Sequence, residues 1–322
     1  MLAAAVFPCL LATLHGPRAQ APAGQTREPE YRVLLASERV PPASRDAVLR
    51  LLPPALERIA PQFPGTPNAP FTVILHVDES SLDSESGRSL HRGTPGFARL
   101  DRDEIHLLLD KIRPQPPDDL ATVLAHELTH VLLDQFAGPH GERVPRWLHE
   151  GLAQSLSGDL YLQAREVDLV VPAKFDRLHR LADLTNAFPD DEYERRLAYA
   201  QSFSFVEWLV RARGMAVIRE GVRLATHKDG FVGGYARTTN EPILVEYDRW
   251  QTWLREESGA SWRFMLENSF SYVMIGAIVL AAFAGARAWR RDARARAKLE
   301  REAAADAEDP TQPSDEPDED PR

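Results

Sequence analysis

A chain of 322 residues with 43% hydrophobic and 27% charged side chains is ordinary for a globular protein and long enough to bury a sizeable core. The formal net charge of −10 argues against a general nucleic-acid binder, which would show a basic face, and much of the excess is local: Asp306, Glu308, Asp309, Asp315, Glu316, Asp318, Glu319 and Asp320 all fall at the C-terminal end. The single cysteine, Cys9, rules out intrachain disulfides and multi-cysteine metal sites, so any metal must be held by His, Asp or Glu.

Residues 1–14 are almost wholly apolar, and Ala19-Gln20-Ala21 supplies a small-x-small cleavage site, so 1–21 read as a signal peptide although no basic residue precedes the apolar run. Phe7-Pro8 before Cys9 do not fit a lipoprotein site. The segments Tyr31–Ser37 and Phe71–Asp78 have strand patterning, with an amphipathic helix over Ser44–Ala60 between them that Pro53-Pro54 should break in two. Gly96–Leu100 and Glu104–Asp110 flank Asp101-Arg102-Asp103 as a hairpin with a three-residue loop. After Pro117 the pattern is helical for most of what remains, so the working domain, residues 30–260, reads as α+β: a small sheet followed by helices.

The second apolar segment, Asn268 to Ala286, carries no charge and as a helix spans roughly 28 Å. The basic cluster that follows, from Arg287 through Arg290, Arg291, Arg294, Arg296 and Lys298 to Arg301, is a cytoplasmic stop-transfer signal, and Tyr272 and Trp289 sit where interface aromatics belong. The organisation expected is a signal peptide (1–21), an exported domain (30–260), one transmembrane helix (268–288) and a tail (289–322), first basic and then acidic, disordered and cytoplasmic.

Chemistry concentrates in the helix that Asp118 and Asp119 can cap and Gly138-Pro139 ends. It contains His126-Glu127-Leu128-Thr129-His130. Histidines one helical turn apart project from one face and can share a metal ion, while the Glu127 carboxylate overhangs the same place and can take a proton from a metal-bound water. A second helix, Pro145–Leu156, is closed by Gly158, and it brings Glu150 twenty positions after His130. Two histidines and one carboxylate leave a fourth position open, the arrangement of a catalytic zinc. Gly151 permits close helix approach, and His149 points about 100° away from Glu150 and reads as a packing or surface residue.

HELTHVLLDQ followed by WLHEGLA resembles the gluzincin clan of zinc metallopeptidases, to which thermolysin and the membrane-alanyl aminopeptidases belong, and more narrowly the peptidase MA-like families of bacterial proteins. The likeness runs on through residues 199–214 to 248–254, covering most of 95–255, and is specific at the two motifs. It implies a zincin-like fold, His126, His130 and Glu150 as zinc ligands, and Glu127 as general base. In thermolysin-like members an Asp four residues after the Glu ligand orients a histidine; that position is Gln154 here, able to accept through its amide oxygen. The Asn-Glu pair of the membrane-alanyl group is His149-Glu150, so exopeptidase specificity does not carry over. Asp134 is a candidate supporting acid whose plainer reading is a surface residue. Tyr199 is a candidate for oxyanion stabilisation, and Gly96-Phe97-Ala98 is a candidate edge strand for substrate pairing, each with a plain structural alternative. His76, His91, His106, His140, His179 and His227 show no ligand spacing.

The expected activity is zinc-dependent hydrolysis of extracytoplasmic peptides or proteins by a domain tethered to the inner membrane. Two other readings fit the same chain: a catalytically inactive zinc-binding interaction module, against which an intact Glu127 speaks, and a membrane-tethered scaffold working through its tail.

Overall fold

The computed structural model describes residues 30–65, 69–82, 94–116, 118–158, 166–256 and 269–307. The chain divides into two compact units, residues 1–261 and 262–322. The expected signal peptide and the acidic end of the tail lie outside the described residues.

The first unit opens with strand β1 (Tyr31–Leu35), helix α1 (Pro42–Ile59) and strand β2 (Phe71–His76). Strands β3 (Gly96–Arg99) and β4 (Glu104–Leu108) complete a four-stranded sheet of order β1-β2-β4-β3. β1 and β4 both run parallel to β2, and β3 runs antiparallel to β4, in register Gly96↔Leu107 to Arg99↔Glu104. β3 therefore lies at one edge. Four residues, Leu100 to Asp103, connect it to β4 rather than the three expected, and Asp103 takes the left-handed conformation (φ 53°) that closes the turn.

Helix α1 is continuous through Pro53 and Pro54, contrary to the expected break. Both prolines are on the exposed side, where water can solvate the carbonyls left without a donor. Val48, Leu52, Ala55, Leu56 and Ile59 form the opposite, buried stripe, and burial of that stripe holds the helix together across the lost hydrogen bonds.

The helical part is built around α2 (Leu120–Ala137), buried on nearly every side, which is why its apolar periodicity is weak. Of the two candidate caps Asp119 serves, accepting from the amides of Ala121 and Thr122 at 3.1 and 3.2 Å, and Gly138 (φ 61°) ends the helix. Helix α3 (Arg146–Ser157) follows, with Pro145 at its N-cap and Gly158 left-handed at its C-terminus. Short α4 (Val170–Lys174), long α5 (Glu192–Arg213), α6 (Met215–Arg223), α7 (Gly230–Thr239) and α8 (Ile243–Glu256) complete the unit. Trp147, fully buried, anchors the start of α3 between Phe205 of α5 and Phe231 of α7, with ring centroids 5.3 and 5.8 Å away.

In the second unit α9 (Ser269–Ala307) is one helix, and its stretch Val273–Arg301 is long and apolar enough to cross a membrane. The helix does not stop at 288. It continues through the arginine-rich stretch to Ala307, so the start of the supposed disordered tail is helical. Alanine, arginine, lysine and glutamate are all strong helix formers, and the sequence from 290 to 307 contains almost nothing else.

Candidate metal centre

His126 and His130 lie one turn apart on α2, their rings 4.9 Å between centroids and nearly perpendicular (79°). Glu150 on α3 turns its Oε2 toward both: 3.5 Å from His126 Nε2 and 3.7 Å from His130 Nε2. The three ligand atoms lie within 4.8 Å of one another, the only such cluster among the described residues. Those separations are long for hydrogen bonds. They match the edges of a tetrahedron, about 3.4 Å, around an ion with bonds of about 2.1 Å, so the donor set fits a zinc-sized cation.

Burial dominates the electrostatics here. Desolvation lowers the His130 pKa well below the ordinary histidine value, against the pull of Glu150, so its ring is neutral at physiological pH and free to offer a lone pair. Burial on its own would raise the Glu150 carboxyl; His126, His130 and Arg146 outweigh it and hold the group ionised. His149 is also buried rather than on the surface, its ring 5.6 Å from that of His130. Desolvation brings it down to about 4, and its Nδ1 has no hydrogen-bond partner.

Glu127 is buried (7% exposed) and borders the sheet edge. A Cβ added to Gly96 at the start of β3 would stand 3.2 Å from Glu127 Cγ and 2.9 Å from Val123 Cγ1, so the strand and α2 meet only because residue 96 has no side chain. Gly151 has a related role, though against α5 rather than α2: a Cβ there would lie 2.5 Å from Val206 Cγ2 and 2.6 Å from the Ser202 carbonyl. α3 is thus pressed between α2 and α5, and this fixes the height of Glu150 opposite the histidines.

Gln154, Asp134 and Tyr199 are all buried. The Nε2 of Gln154 donates to the carbonyls of Glu150 and Tyr199 (3.2 Å each), and its Oε1 is buried without a partner; it braces α3 against α5 and accepts no hydrogen bond from His126 or His130. Asp134 is buried (1% exposed), not on the surface, and packs so closely on Gly141 that a Cβ there would be 2.0 Å from its Oδ1. Tyr199 is buried on α5 with its ring edge-on to Phe188 at 4.9 Å.

Two further features belong to the fold and not to either motif. Arg146, one turn before Glu150, reaches its Oε1 at 3.3 Å. The Arg-x-x-x-Glu spacing is an ordinary helix pair visible in the sequence; its burial is not. The unassigned His76 and His106 meet across β2 and β4, with Nε2 to Nδ1 at 3.0 Å, between Ser81 (2.9 Å from His76 Nδ1) and Glu104 (3.3 Å from His106 Nε2). His106 also stacks on Phe97 of the edge strand at 4.6 Å. Those residues are thirty positions apart and only strand pairing joins them.

Residues 116–256 match a family model described as the Peptidase MA superfamily, a stretch that takes in α2, α3 and the helices through α8. No curated protein and no solved structure matches the chain.

Proposed function

We propose, from the premise that residues 116–256 are a Peptidase MA superfamily domain, that this chain is a membrane-anchored zinc-dependent peptidase acting on extracytoplasmic peptides or proteins. The observation that carries the reading is the convergence of His126, His130 and Glu150 on one point, beside a buried Glu127 and the edge strand of a sheet.

His126, His130 and Glu150 would hold the zinc. The ion supplies Lewis acidity, which acidifies water and polarises a carbonyl oxygen. Glu127 accepts the proton of the attacking water on its carboxylate and returns it to the leaving amine, so one group serves as base and then acid. The substrate backbone runs beside the edge strand β3, whose Gly96 packs directly against Glu127. The helix at Val273–Arg301 anchors the chain in the inner membrane as a single span, with residues 22–267 outside and the arginine cluster inside. Peptide or protein is the substrate; the net charge of −10 argues against a general nucleic-acid binder.

The test uses the full-length chain in detergent, assayed on a peptide library with zinc measured alongside. Wild type should carry about one zinc per chain and cleave. Glu127→Gln should keep the zinc and lose about a hundredfold or more in turnover, and Glu150→Ala should lose most of the zinc. Equal turnover by wild type and Glu127→Gln would overturn the mechanism, and zinc-loaded wild type that cleaves nothing would favour the binding-module alternative.

A further inference from the structure

Glu150 has two carboxylate oxygens, and they face different partners. Oε2 looks toward His126 and His130; Oε1 lies 3.3 Å from Nη2 of Arg146. Both side chains are about nine-tenths buried, 13% and 9% exposed, so water competes little for either. Arg146 is in turn held from several directions. Its backbone amide donates to Thr185 O at 2.7 Å and that of Trp147 to Leu184 O at 3.1 Å, which docks the start of α3 on the loop ahead of α5. Its guanidinium lies over the ring of Phe188, 5.2 Å from the centroid, and that ring is itself set edge-on against Tyr199.

The last torsion of a glutamate is soft, and a free carboxylate beside a divalent ion can present one oxygen or both. A guanidinium that is always charged and pinned on an aromatic face removes that freedom. We infer that Arg146 is a positioning residue: by holding Oε1 it makes Glu150 a one-oxygen ligand and keeps the remaining coordination position for water and substrate. The inference rests on the zinc reading above. It also explains why a cation is tolerated so close to a metal site, where simple charge repulsion would select against it: the arginine governs how the carboxylate binds, not how tightly the ion is held.

The experiment replaces zinc by Co2+ in the full-length chain, because the visible absorption of Co2+ weakens several-fold when a fifth ligand joins four. Arg146→Met and Arg146→Gln both remove the charge, Met leaving an apolar stem and Gln a shorter polar one; Arg146→Lys keeps a cation. We expect a weakened band and a loss of about tenfold or more in kcat in Arg146→Met and Arg146→Gln with metal still bound, and a band near that of wild type in Arg146→Lys. A wild-type band in whichever of the Met and Gln variants folds, or a band altered equally in the Lys variant, would overturn the inference alone. A wild-type chain that takes up neither Co2+ nor Zn2+ would overturn the metallopeptidase reading and the inference with it.

Discussion

At the scale of single residues, buried charge is tolerated only in company. Glu150 stays ionised among two histidines and an arginine, and Glu246 on α8 repeats the principle away from the candidate centre. It is 2% exposed, and accepts from Arg213 Nε at 2.8 Å, from Arg249 and from Trp208 Nε1 at 3.3 Å. Burial raises its pKa, but the hydrogen bonds from Arg213, Arg249 and Trp208 overcome that and leave it below the ordinary glutamate value. A carboxyl depressed in the folded state contributes stability that is complete above its unfolded pKa, about 4.3, and is lost as the pH falls through the folded value. Glu246→Gln should therefore destabilise the chain by roughly 3 kcal/mol at pH 7. That deficit should shrink on acidification toward pH 3. Thermal unfolding at both pH values, followed by tryptophan fluorescence, measures it; a deficit independent of pH would assign the loss to packing.

Among elements, the decisive contact is α3 against its two neighbours. Glu150 can oppose the histidines only if α3 lies close to α5, and Gly151 sets that distance. Gly151→Ala places a methyl where the Ser202 carbonyl and the Val206 side chain already are, and backbone cannot yield as a side-chain tip can. The expected cost is about 1–3 kcal/mol, read from urea unfolding, together with weaker zinc retention as Glu150 is lifted from the site. Unchanged stability and unchanged zinc would mean that α5 moves aside freely. The α1 helix teaches the converse: two prolines that break an isolated helix leave this one whole, because a buried stripe on its far side compensates.

For the whole molecule, the proposal that remains is topology. Seven basic residues, Arg287 to Arg301, follow the apolar run, and each resists transfer across an energised membrane. A reporter active only outside the cytoplasm should work when fused after Ala260 and fail when fused after Arg301. The reverse pattern would put the metal centre in the cytoplasm, and activity at both points would deny the span.

What the sequence determined by itself is what local spacing encodes: two histidines at one helical turn, a glutamate between them, an aspartate cap at the start of α2, the hairpin of β3 and β4, an apolar run followed by arginines. These depend on helix and strand periodicity alone, and the periodicities are properties of the backbone. Only the tertiary structure decided which oxygen of Glu150 faces the histidines, that Arg146 and Phe188 hold the other side, that Gln154 braces α3 against α5, and that His76 and His106 meet across β2 and β4. Each of those is a contact between elements distant in the chain, or a consequence of burial. Burial also turns a surface-type Arg–Glu pair into a desolvated one, and no residue's own letter reports the dielectric around it.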